Sequence, residues 1–228
     1  MASVTFSPTF ISHVQMLYDL ALDQLVSGKT STKDINCYTD YAGPAYVSAV
    51  AAIEAFTNEV IFGSPTRYIL QQSPLWALDQ RWVERLEILN KLIIVPHLLF
   101  NKSFERDSQP YQDMTLLVKI RNDFVHYKMD EKVPAYVKPL EDRGIALPAP
   151  SEVGDYIWVH KLSTSEGIRW ANNTVCRVAQ TLVGFIPEEH RQIMFASLLQ
   201  NFIEIPEGLA RNKLREIESS LKDKEIEE

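Results

Sequence analysis

The sequence predicts an all-α protein: an up-and-down helical bundle with a long proline-rich loop and extended C-terminal helices. Three observations carry this. Apolar residues recur at helical spacing along most of the 228-residue chain. Cap residues and prolines punctuate the runs between them. A hydrophobic content of 46% supplies enough apolar side chain for a substantial core.

The first helix is announced by "FSPTFISHVQMLYDLALDQLV". Ser7 reads as its cap and Pro8 as its first turn, with Phe10, Val14, Leu17, Ala21 and Leu25 on one face. A polar linker follows, and then "GPAYVSAVAAIEAFTNEVIF". This run is apolar on most sides from about Pro44 to Phe62, as a central helix should be. Ser73-Pro74 opens a third run, "PLWALDQRWVERLEILNKLIIV", which Pro96 should end. The loop "FNKSFERDSQP" leads to a helix starting near Ser108.

From Met129 to about Pro150 four prolines predict a long loop lying over the bundle, and "DYIWVH" reads as a short extended piece. Ser163 and Glu166 have capping-box spacing ahead of a helix whose Ile168, Val175, Val178 and Leu182 form a core stripe. Pro187 starts another helix. Pro206 precedes a last, highly charged one with Ala210, Leu214, Ile217 and Leu221 in a narrow seam suited to one partner helix. The division expected is a bundle over 1–186 and a C-terminal helical arm over 187–228.

Charge and composition narrow the function. The net charge is −7, so a broad nucleic-acid surface is not expected, and any such role must rest on a local site. Cys37 and Cys176 match no metal or redox spacing. The opening "MASVTFSPTF" lacks the basic and apolar regions of a signal peptide. Glu54 and Pro96 interrupt the most apolar stretches, so a cytoplasmic protein without membrane contact is the expectation. The five histidines show no metal-ligand spacing, and glycine-rich phosphate loops and nucleophile elbows are missing. No metal or other cofactor is expected.

Two polar groups break the helical pattern. In "LLVKIRNDFVHYKM", Leu117, Ile120, Phe124 and Tyr127 define an apolar face on which Arg121 also falls. Asn122 and His126 share the polar face with Thr115 and Lys119, and Arg121 and His126 stand about 140° apart. A guanidinium on a core stripe needs an anion. Glu54, a misfit on the central helix with Asn58 one turn beyond, offers one. The two residues should face one another, with Asn58 hydrogen-bonding nearby. A plain register-fixing ion pair would have the same pattern.

"IRNDFVHYK" resembles the signature of the HEPN superfamily, an Arg, a polar residue and then a His, written R-x4-6-H. Here Arg121-Asn122 leads to His126 with four residues between. "AAIEAFTNEVIF" is similar to the central helix of many bacterial HEPN-like proteins, where a Glu precedes an Asn-Glu pair. The resemblance covers roughly Phe10 to Phe185. It implies an α-helical bundle, a homodimer, and metal-independent endoribonuclease activity of toxin–antitoxin or abortive-infection type. Arg121 and His126 of two protomers would then converge on one cleft.

Under that resemblance Arg121 and His126 are the catalytic candidates, and Asn122, Glu54 and Asn58 orient them. Lys119 and Lys128 are candidate RNA contacts. An imidazole titrating near neutrality suits proton transfer to and from the ribose and leaving oxygens, and a guanidinium suits the anionic phosphorane. One histidine per chain is short for two proton transfers, hence the dimer. The alternative is a catalytically silent module that binds a nucleotide or protein. In either case an antitoxin or sensor protein could dock through the C-terminal helix. His13, His97, His160 and His190 lack the company of a site, and Trp76, Trp82, Trp158 and Trp170 read as packing residues.

Overall fold

The computed structural model describes residues 6–26, 39–63, 69–73, 83–126, 132–148, 158–191 and 199–209. Within them the chain is α-helical, in keeping with the all-α reading. The helices are α1 (Ser7–Val26), α2 (Ala42–Phe62), α3 (Ile88–Phe100), α4 (Gln109–Val125), α5 (Val137–Asp142), α6 (Trp158–Leu162), α7 (Ser165–Phe185) and α8 (Glu188–Arg191). Most of the arm from Gln192 onward, including the seam Ala210–Leu221, lies outside the described residues, as do Cys37, Trp76, Trp82, Tyr127 and Lys128.

Four long helices make the core. Ser7 at the start of α1 meets Glu59 near the end of α2. Tyr46, near the start of α2, packs edge-on against Phe124 at the end of α4, with ring centroids 5.3 Å apart. Phe185, at the end of α7, packs on Phe104 just ahead of α4. Neighbours in the order α1, α2, α4, α7 therefore run antiparallel. α2 is the centre, touching α1, α3, α4 and α7. Its Tyr46, Ala49, Ile53, Phe56 and Val60 are fully buried or nearly so. By length and composition alone α2 could cross a membrane despite Glu54, but most of that apolar surface is buried in the bundle.

Tertiary contacts reset several boundaries. Ser7 does not cap α1; it lies inside the helix. The carboxylate of Glu59 accepts the backbone N–H groups of Phe6 (2.7 Å) and Ser7 (3.0 Å), and also the Ser7 hydroxyl. An anion from another helix thus satisfies the orphan donors at the positive end of α1. Pro96 does not end its helix. α3 runs through it to Phe100 and stops where Asn101 turns left-handed at φ 52°. The interruption falls earlier, at Arg85–Glu87.

The proline-rich stretch is more than a covering loop. It contains α5, and Val137, Leu140, Ile145 and Ala146 enter the core. "DYIWVH" is not extended where described: Trp158–Leu162 is a helical turn with Trp158 fully buried. The cap of α7 is Thr164, one residue later than the spacing suggested. Its hydroxyl oxygen accepts the Gly167 N–H at 2.9 Å and donates to the Ile145 carbonyl at 2.6 Å. Glu166 pairs with Arg169 instead. Ile168, Val175, Val178 and Leu182 are buried as the stripe required.

Candidate functional site

The two misfit groups meet. Arg121 Nη2 of α4 lies 3.3 Å from Glu54 Oε1 of α2. The antiparallel packing of these helices brings them side by side. The pair is half-buried, with side-chain exposures of 29% for Arg121 and 44% for Glu54. Its contact is single rather than bidentate. Arg121 Nε is buried and has no hydrogen-bond partner, so most of the guanidinium's donors remain unused.

The pair forms one wall of a cavity of about 510 Å³ between α2, α4 and the start of α3. That volume lies in the range of small-ligand sites, about 300–1,000 Å³. Asn122 and Lys119 line it from α4, Ile88 and Leu89 from α3, and Glu87 from the residue just before α3. Lys119 Nζ stands 5.1 Å from the Tyr136 ring centroid, while the Tyr136 hydroxyl donates to Asp123 at 2.7 Å. Glu54, Glu87 and Asp123 face the cavity against Lys119 and Arg121, one more carboxylate than cation.

His126 is not in this cavity. It is the C-cap of α4, exposed, with its backbone N–H on the Asn122 carbonyl at 2.9 Å. Within one chain, therefore, Arg121, Asn122, Lys119 and Glu54 share a wall while His126 projects from the helix end beside the exposed Val125. Asn58 departs from expectation. Its Oδ1 accepts from Lys91 Nζ at 2.7 Å rather than bonding to the ion pair.

Lys91 is the residue that sequence reasoning passed over. It is 3% exposed, and its ammonium also donates to the Glu84 carbonyl at 2.7 Å. Burial holds its pKa below the usual lysine range, against the opposing pull of Glu54 and Glu84. The signal was present. Lys91 sits on the buried stripe of α3 with Ile88, Leu92 and Val95, as much a misfit as Arg121.

Among the described residues, the remaining histidines do not line the cavity. His13 is exposed with Nδ1 2.8 Å from Ser48 Oγ, so it has polar company that the sequence did not suggest. His97 and His160 are exposed, and the His190 side chain lies outside the described residues. Trp158 and Trp170 are buried packing residues. Among the described residues no group of three or more metal-ligating side chains converges. No family model matches this chain, and neither curated proteins nor solved structures provide a match.

Proposed function

We propose that this chain is a HEPN-like endoribonuclease, acting as a homodimer and cleaving RNA without a metal, in a toxin–antitoxin or antiviral setting. The observation that carries the reading is the half-buried, singly bonded Arg121 on a cavity wall, with Asn122 beside it and His126 exposed less than two turns away on the same helix. Arg121 keeps donors for a phosphodiester. His126 at the helix end is accessible to a substrate laid across two protomers, where a second His126 supplies the other proton transfer. Asn122 orients the phosphate, and Lys119 adds positive charge.

A second reading has its own support. The cavity's excess of carboxylates suits a ligand with donor groups better than a polyanion, which favours the silent module in its protein-binding form. The experiment is incubation of the purified chain with mixed RNA in EDTA beside Arg121→Ala and His126→Ala. Cleavage that leaves 2′,3′-cyclic phosphate ends and falls by at least about a hundredfold in each variant supports the enzyme. Intact RNA, or equal cleavage by the variants, supports the module.

A further inference from the structure

The residue that the proposed mechanism leaves unexplained is Lys91. A lysine almost wholly enclosed by a bundle is costly unless its charge is used. Its two strong hydrogen bonds, to Asn58 Oδ1 and the Glu84 carbonyl, satisfy donors but do not neutralise the ammonium. Glu54 and Glu84 both act on it electrostatically. Glu54 is one turn from Asn58 on α2, so the Lys91 ammonium, bonded to Asn58, is held about a turn away from the carboxylate that Arg121 meets. That carboxylate holds Arg121 through a single 3.3 Å contact and acts on Lys91 at longer range.

We propose that Lys91 is a positioning residue that keeps Glu54 compensated when Arg121 leaves it for an anionic ligand, a phosphodiester under the reading above. With Arg121 alone as partner, every anion bound by the guanidinium would strip Glu54 of its counter-charge. With Lys91 in place, Glu54 keeps a cation about one helical turn away throughout. Arg121 can then swing toward the cavity and offer Nε, now without a partner, together with an Nη as a bidentate donor pair. Lys91 touches no ligand in this arrangement; it acts through Glu54 and Asn58.

The test is a double-mutant cycle on binding, read by fluorescence anisotropy with a labelled 2′-O-methyl RNA oligonucleotide, which lacks the attacking hydroxyl. Lys91→Met weakens binding by about tenfold or more. Lys91→Gln, which keeps a donor for Asn58 but carries no charge, weakens it similarly. Adding Glu54→Gln removes the carboxylate that competes for Arg121, so the doubles Glu54→Gln/Lys91→Met and Glu54→Gln/Lys91→Gln bind within about threefold of Glu54→Gln alone.

A lysine that serves only the fold would give additive losses in the cycle, and that result overturns the proposal. So does wild-type affinity in both Lys91 variants. Thermal melts identify a variant that has failed to fold, and the cycle is then read on the other. Arg121→Ala separates the two claims. Binding that depends on Arg121 but shows an additive cycle sinks the role of Lys91 and leaves the phosphate-binding Arg121 standing. Binding absent from the wild type, or indifferent to Arg121, removes both. A coupled cycle without cleavage of ordinary RNA keeps the Lys91 role and ends the ribonuclease reading.

Discussion

A partly exposed ion pair is worth about 0–1 kcal/mol, so the Glu54–Arg121 contact contributes little to holding α2 against α4. What it does is fix where a guanidinium points. Interior packing at single residues matters far more to stability. The Tyr46 hydroxyl donates to the Leu162 carbonyl at 2.7 Å in the core, and a Cβ placed on Gly167 would sit 2.1 Å from the Tyr46 hydroxyl oxygen. Gly167→Ala should therefore cost about 1–3 kcal/mol, from overpacking and loss of the Tyr46 bond. Tyr46→Phe combined with Gly167→Ala should lose less than the sum of the two single changes, because the clashing atom is gone. Urea unfolding curves of the four proteins measure both effects; additivity would show that the clash is not the cause.

Helix α1 depends on α2 for its beginning as well as for its packing. Two backbone N–H groups and a hydroxyl converge on Glu59, and the negative charge lies at the positive end of the α1 dipole. Glu59→Ala is expected to destabilise the protein by about 1–2 kcal/mol. Amide exchange should accelerate in the first turn of α1 and much less in its buried second half. Uniform acceleration along α1 would mean that Glu59 holds the helix by more than its cap. The sequence placed a cap at Ser7 because Ser-Pro is a local signature. The structure uses a distant carboxylate, which no local rule anticipates. The same holds at α7, where Thr164 takes the cap because its hydroxyl also reaches Ile145 on the segment after α5.

The whole molecule is closed by side chains that act as backbone. Asn173 on α7 accepts the Ile205 N–H at 2.7 Å and donates to the Ile205 carbonyl at 2.9 Å. Its neighbour Asn172 donates to the Ile203 carbonyl, and Gln15 of α1 donates to the Asn201 carbonyl. The segment 199–205 is thereby tied across α1 and α7, and Phe202 packs on Phe56 of the central helix, with ring centroids 4.7 Å apart. Asn173→Ala leaves two buried backbone groups unpaired, a loss of about 1–3 kcal/mol for each. Limited proteolysis should then cut within 199–209 before the bundle opens. Unchanged protection there would mean that Phe202 and its neighbours suffice to hold the segment.

The sequence by itself determined that the chain is helical, that α2 is central, that α7 carries a core stripe, and that Glu54 and Arg121 face each other. These follow from periodicity and from the energetic penalty on an unpaired charge in an apolar stripe, both readable one residue at a time. Only the tertiary structure decided that Asn58 binds Lys91 rather than the ion pair, and that Glu59 caps α1. It alone put Arg121 on a cavity wall and His126 outside it. Periodicity reports which face of a helix is buried and says nothing about which residue of another helix it meets. Those pairings depend on how far each helix is shifted and turned against its neighbour, and that is settled by the packing of the whole core.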